Sequence, residues 1–386
     1  CADLGRSRPW YYKWRTRYGQ HGLRGLQDQR PGHAPSNRTP DGVRELIVEI
    51  RDRLVRQAEA GTHHLGIGAG QIIQELQALK ITPPHRSTIY RILGAAERIA
   101  SVKGPRGYRP RPLVAQANDV HQLDIWPRVL EGGTYLFLIH LVDVATWYPC
   151  GLVSDNKCTD TILAFLLESW QALGVPKVLQ VDNEMPFTGG RWISRLGRLV
   201  RLALLLGCEV WFNPFDMPEC NGYVERFHGL CDQFFWMRHR FTDTADVAQR
   251  YPAFLQAVRE QYAPERLAGR TPVEARQALP DGRVYTLPQG LTWTAGSSLP
   301  LVAGRVHCIR RTDSQGRLSV LGRYFTLGAD YRWTYIQATL AVADQQVVFY
   351  YQESPEEEPE LVSTQPFPLH DAVEPWDASL ITRYLA

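Results

Sequence analysis

No Cys-x-x-Cys pair occurs in the 386 residues, and the seven cysteines (1, 150, 158, 208, 220, 231 and 308) are odd in number and scattered. That pattern argues against a thiolate zinc site and against a disulfide framework, and it reads as the reduced thiols of a cytoplasmic protein. Cys220, Cys231 and His228 come nearest to a ligand cluster, but they read as small buried residues. No apolar run reaches the roughly 18–20 residues that span a bilayer. The longest, 199–206, is broken by Arg201. A basic-then-apolar leader is missing as well, and the chain opens on Cys1, as expected of a piece of a longer protein. Lysine is scarce: of 43 basic residues five are Lys (13, 80, 103, 157 and 177) and the other 38 are Arg.

What is present is an uneven charge. Residues 1–110 hold 19 Lys and Arg against 9 Asp and Glu, a net +10, while 111–386 hold 24 against 31, a net −7. A basic front before an acidic rear points to a polyanionic partner at the front. The chain divides into a helix-turn-helix segment at 1–38, a second such segment at 39–100, a basic Pro/Gly-rich linker at 101–114, an α/β region at 115–285, a β-rich region at 290–352 and an acidic, Pro-rich tail at 353–386.

In the first segment Ser7 caps a helix with Pro two positions on. Arg8, Lys13, Arg15 and Arg17 stud that helix, its aromatics are expected to pack behind it, and Gly19 and Gly22 end it. The second segment has an amphipathic helix from Val43 to Leu54, another over 68–79, and then HRSTIYRIL at 85–93. There Ser87 or Thr88 is the expected cap, Ile89, Ile92 and Leu93 face inward, and His85, Arg86 and Arg91 face outward. Two such basic units in tandem suit DNA. A helical bundle with a solvated charged face is the alternative.

Residues 115–285 read as β-β-β-α-β-α-β-α. Asp124 lies near the end of the first strand, Asp182 at the end of the fourth, and Glu225 on the helix opened by Asn221-Gly222. If the first and fourth strands are neighbours, the three acids converge. Phosphodiester cleavage needs an activated nucleophile and a stabilised anionic leaving oxygen, and two Mg²⁺ ions about 3.5–4 Å apart on shared carboxylates supply both.

LDIW (123–126), VDN (181–183) and NGYVERFH (221–228) resemble the three acidic motifs of the DDE integrase core, found in retroviral integrases and bacterial insertion-sequence transposases. The likeness covers roughly 1–350, because 5–32 and 85–93 are similar to the family's helix-turn-helix front. It implies an RNase H-like core with a mixed five-stranded sheet, all-α helix-turn-helix domains before it and a small β-barrel after it. Asp124, Asp182 and Glu225 become the catalytic metal ligands for two Mg²⁺, with Mn²⁺ able to substitute. The implied activity is a transposase: cleavage that frees a 3′-hydroxyl at transposon ends, then strand transfer into target DNA. The implied setting is a homo-oligomer, dimer or tetramer, on double-stranded DNA in the bacterial cytoplasm, away from membranes. Arg226 and His228 either contact DNA or support Glu225, or serve a purely structural role, and Asp143 is not a ligand. The alternatives are a domesticated, non-catalytic DNA-binding protein and a simple metal-dependent nuclease.

Forty-two residues separate Asp182 from Glu225, more than is usual in the family, and the extra length falls in 184–206. This stretch reads as a helix from 191 carrying Arg191, Arg195, Arg198 and Arg201, the last three forming either a DNA-facing stripe or a solvated face. Further expected DNA contacts are Lys103, Arg106 and Arg109 in the linker, and Arg310 and Arg311 in the barrel, joined there by Arg305, Arg317, Arg323 and Arg332. The last stretch of the tail is either a docking peptide for another protomer or accessory protein, or a helix folded back on its own core.

Overall fold

The computed structural model describes residues 8–26, 39–60, 67–98, 108–190, 195–215, 217–278 and 286–385. Ser7, Lys103, Arg106, Arg191 and the start of the linker lie outside them. Two compact units divide the chain near residue 103.

The first unit is all-helical: α1 (Arg8–His21), α2 (Asp41–Glu59), α3 (Ala69–Ala78) and α4 (Arg86–Ala95). Apolar residues at helical spacing put Ile47, Ile50 and Leu54 of α2, Ile72 and Leu76 of α3, and Ile89, Ile92 and Leu93 of α4 into one core. Arg98 clasps Asp52 with two bonds of 2.7 and 3.0 Å, tying the end of this bundle to α2. Two local expectations change. α1 runs through Gly19, because one glycine weakens a helix without having to end it. Its aromatics do not pack away either: Trp10, Tyr11, Tyr12 and Tyr18 are all exposed.

The second unit is built on a sheet. Strands β1 (Val120–Val129), β2 (Tyr135–Asp143) and β3 (Pro149–Ser154) form an antiparallel meander. Helix α5 (Thr159–Leu173) follows, then β4 (Val178–Val181), the short α6 (Met185–Thr188), α7 (Arg198–Leu205) and β5 (Glu209–Phe212). β4 pairs in parallel with both β1 and β5. The order β3-β2-β1-β4-β5, with only β2 reversed, is that of an RNase H-like core.

Alternation along β2 divides the two faces. Ile139 and Leu141 join the core beneath α5 and α7. Leu136, Leu138 and Val142 join a second core under α8 (Gly222–Phe234) and α9 (Thr244–Gln261). At Gly151 on β3 a side chain would meet the Tyr251 hydroxyl at 2.6 Å, so glycine is what lets α9 lie this close to the sheet. α10 (Pro272–Gln277) opens with a reciprocal cap between Thr271 and Glu274.

The rear of the chain departs from the expected barrel. It contributes β6 (Leu301–Val302), β7 (Arg305–Arg311), the hairpin β8 (Arg317–Val320) and β9 (Arg323–Thr326), then β10 (Tyr335–Ala341), β11 (Gln346–Tyr351), β12 (Glu360–Pro366) and β13 (Val373–Glu374). β7 pairs in parallel with β5, and β10, β11 and β12 follow antiparallel. A single nine-stranded sheet therefore runs β12-β11-β10-β7-β5-β4-β1-β2-β3, and the rear strands extend the core instead of closing on themselves. Period-2 alternation is the same in either arrangement, so the physical difference lies in the long-range pairing of β5 with β7.

The tail is not a free docking peptide. β12 adds to the sheet, β13 pairs with β6, and α11 (Ser379–Leu385) buries Leu380, Ile381 and Leu385. Trp376 donates from its indole nitrogen to the Leu205 carbonyl at 3.0 Å. Among the described residues no helix is long and apolar enough to cross a membrane.

Candidate active site

The β1–β4 register aligns Val120 with Val178 and Gln122 with Gln180. Two residues further on stand Asp124, on β1, and Asp182, just past the end of β4. Glu225 lies in the first turn of α8. All three line one cleft of about 400 Å³ together with Asn183, Glu184, Asn213, Pro214, Phe215, Met217 and Asn221. Asp124 Oδ1 accepts from the Ile125 amide, and Asp182 Oδ1 from the Glu184 amide, both at 2.8 Å. Burial pushes Asp124 up to about 7, and the charges of Asp182, Glu184 and Glu225 add to the rise. Asp182 is raised as well, by burial first and Glu184 second, with Lys157 opposing. Lys157 itself bonds Glu184 at 2.9 Å.

The donor set is hard carboxylate oxygen, the chemistry that suits Mg²⁺ or Mn²⁺. Mutual repulsion among these acids is what a bound cation would relieve. Among the described residues, no three His, Cys, Asp or Glu side chains stand close enough in these positions to enclose an ion. The cleft fits a divalent cation in the chemistry of its shared lining, but its carboxylates do not form a ready-made cluster around an ion.

Beneath the acids lies a layer the sequence reading missed. Gln122, Gln180, Asn213 and Asn221 are buried amides joined by bonds of 2.7–3.0 Å. Asn183 donates to the Asn213 carbonyl at 2.8 Å. The available signal was a glutamine two positions before each strand acid. On the opposite flank, Arg128 lies over the Trp126 ring, 3.3 Å from its centroid, and Trp126 stacks on His228 at 5.3 Å and 13°. His228 Nδ1 is 4.0 Å from Asp124 Oδ2. Burial, followed by the Arg128 charge, holds His228 down to about 4, so the ring beside Asp124 is neutral. Asp143 turns away from the cleft and is bonded by Thr146 at 2.7 Å and Arg276 at 2.8 Å.

The expected DNA contacts fall into distinct places. Lys13, Arg15, His85, Arg86, Arg91, Arg195, Arg226 and Arg311 are exposed. Arg17 lies over the Trp14 ring at 4.5 Å, and Arg8 opens α1. His85 proves to be the cap of α4, its Nδ1 accepting from the Ser87 amide, so the cap sits two residues before Ser87.

Three expectations need correction. Arg310 is only 4% exposed and donates inward, to the Asn213 carbonyl at 3.0 Å and to Asn183 Oδ1 at 2.7 Å. It therefore props the cleft from below, since β7 is an interior strand. Arg195, Arg198 and Arg201 do not share a helix face, because α7 begins only at Arg198. Arg198 instead grips Asp160 at 2.6 and 3.0 Å, and Arg201 is paired with Asp371. Arg109 is half-buried, its guanidinium on Met217 Sδ at 2.8 Å and facing the Tyr335 ring.

The fold and cleft define a chain with a helix-turn-helix front and an RNase H-like α/β core. Residues 10–93 match the family model of the homeodomain-like domain. Among solved structures, the chain is similar to a simian T-cell lymphotropic virus intasome in complex with PP2A regulatory subunit B56 gamma: 14% identity, TM-score 0.39, covering 78% of this chain and 93% of the other. The HTLV-2 integrase catalytic core in complex with magnesium matches at 14% identity and TM-score 0.33, over 43% of this chain and 99% of that one. The BIV integrase catalytic core matches at 17% and 0.32, over 42% and 94%. These TM-scores all lie below 0.5, and the fold assignment follows from the strand order instead.

Proposed function

We propose that this chain is a DDE transposase. It grips element ends through its helix-turn-helix front, cuts to free a 3′-hydroxyl, and joins that hydroxyl to target DNA. The observation that carries this reading is the convergence of Asp124, Asp182 and Glu225, from two neighbouring parallel strands and one helix, on a single cleft. Binding alone has no use for three acids gathered in one cleft, where the charges of Asp182 and Glu225 add to the rise that burial imposes on Asp124. The three would hold two Mg²⁺, or Mn²⁺ in their place. Bound, the ions would lower the pKa of the attacking hydroxyl and stabilise the anionic leaving oxygen. The protein's own part is to orient the carboxylates through the Ile125 and Glu184 amides and to keep a neutral His228 beside Asp124. The working form is a homo-oligomer on duplex DNA.

A second reading, a DNA-binding protein without catalysis, is favoured by the separation of the carboxylates noted above. One experiment decides. Purified wild type and Asp182→Asn are incubated with Mg²⁺ or Mn²⁺, a duplex carrying candidate element ends, and a plasmid. Covalently joined products from wild type alone establish strand transfer. Cut ends without joining indicate a nuclease. Sequence-selective binding by both proteins, with no product under either metal, establishes the non-catalytic reading.

A further inference from the structure

We propose that Gln122 is a positioning residue of this site: it fixes where α8, and with it Glu225, stands relative to the strands bearing Asp124 and Asp182. The inference rests on the carboxylate site proposed above.

A helix leaves its first amides without intrahelical partners, and a Ser, Asp or Asn at its N-cap ordinarily satisfies one of them. At α8 the N-cap residue, Asn221, makes no such bond. Its Oδ1 accepts instead from Asn213 Nδ2 at 2.7 Å. The α8 amides of Tyr223 and Val224 donate to Gln122 Oε1, at 3.0 and 3.2 Å. A cap carried by the helix's own flank moves with the helix, whereas a cap reaching over from β1 fastens the helix to the sheet. Val224 immediately precedes Glu225, and Gln122 is two residues before Asp124 on the same face of β1.

The other end of the Gln122 amide completes the registration. Its Nε2 donates to Gln180 Oε1 at 3.0 Å and to the Cys220 carbonyl at 3.2 Å. Gln180, two residues before Asp182, donates in turn to the same Cys220 carbonyl at 2.9 Å and to Asn213 at 2.7 Å. One planar group thus touches the strand of the second acid, the chain entering α8, and the first turn of α8. Gln122 and Gln180 are each 3% exposed, so shifting α8 would leave buried donors and acceptors unpaired. The position demands an acceptor and a donor at the end of a long side chain, without charge. A carboxylate there would face the Gln180 and Cys220 oxygens and add to the repulsion in the cleft, and Asn is a methylene shorter.

The test compares the wild type with Gln122→Met, Gln122→Glu and, as a control buried on α5 and outside the hydrogen-bond network, Ile162→Val. Amide hydrogen exchange is followed over 222–226, Mn²⁺ affinity by electron paramagnetic resonance, and kcat and KM on DNA. In Gln122→Met we expect Tyr223 and Val224 to exchange about ten-fold faster or more, and Mn²⁺ to bind on the order of ten-fold more weakly, as when a ligand's supporting partner is lost. We also expect kcat to fall with KM unchanged. Gln122→Glu keeps the acceptor for the two amides but not the donor to Gln180 and the Cys220 carbonyl, so exchange at both amides should fall between Gln122→Met and wild type. Ile162→Val should leave exchange at both amides and Mn²⁺ affinity as in wild type. Wild-type exchange at Tyr223 and Val224 in Gln122→Met, or wild-type Mn²⁺ affinity, would overturn the proposal. If the wild type binds no Mn²⁺ and cuts no DNA, it is the carboxylate site that fails. The exchange result then still decides whether Gln122 anchors α8.

Discussion

His121 sits wholly inside the sheet, its Nε2 bonded to Asn118 Oδ1 at 3.0 Å. Burial, with Arg276 adding, lowers it to about 4 against the opposing charge of Asp143. The unfolded chain therefore takes up this proton as pH falls through about 6.5, while the folded protein does so only near 4. The stability it contributes is complete above 6.5 and is lost on descending to 4, up to about 3 kcal/mol for this ring alone. Buried His140 and His228 shift the same way. Urea unfolding at pH 7, 5.5 and 4 should show the decline, and His121→Gln should make it shallower. Arg310 belongs to the same scale. Arg310→Met should destabilise by about 1–3 kcal/mol, by leaving Asn183 Oδ1 without its donor and the Asn213 carbonyl with the Asn183 amide alone. A mutant that unfolds at the wild-type denaturant midpoint would show the guanidinium is not needed there. The three acids were legible because each stands in a short local motif. Arg310 was not, since its burial depends on a strand pairing between residues about a hundred positions apart.

Among elements, α4 presents Arg86 and Arg91 outward from a core made by Ile89, Ile92 and Leu93, as its spacing foretold. If α4 reads base edges, Arg86→Ala and Arg91→Ala should weaken binding to element ends by about 1–3 kcal/mol each and binding to unrelated DNA by less. Equal losses on both DNAs in a titration would make them phosphate contacts. Helix α11 was harder to place, because near-helical apolar spacing looks the same whether it faces its own core or a partner. Ile381 is 1% exposed, and Ile381→Ala should cost about 2–5 kcal/mol in chemical unfolding. An unchanged midpoint would return the tail to the role of a docking peptide. Helix α7 was misjudged in extent, since arginines at 191–201 continue the period of Leu199–Leu206 although α7 starts only at Arg198.

For the whole molecule, the positive front and negative rear make DNA affinity a matter of counterions. Observed affinity should fall steeply and linearly on a log–log plot against salt, and residues 1–103 alone should keep most of the slope. A slope residing mainly in 104–386 would move the chief phosphate contacts to the core. The alternation of strand and helix revealed the class of the core, and the join between core and rear was the part that local pattern could not supply.

That join limits how such a chain can be recombined with others. Because β7 lies against β5, a graft that ends this protein after α10 and continues with a foreign module would turn β5 into a bare rim. Its main-chain groups would then be open to any passing strand. It would also withdraw Arg310 from beneath Asn183 and Asn213. The core and rear strands thus make one sheet that cannot be divided without exposing an edge, and the natural boundary for exchange lies ahead of the sheet, near residue 103.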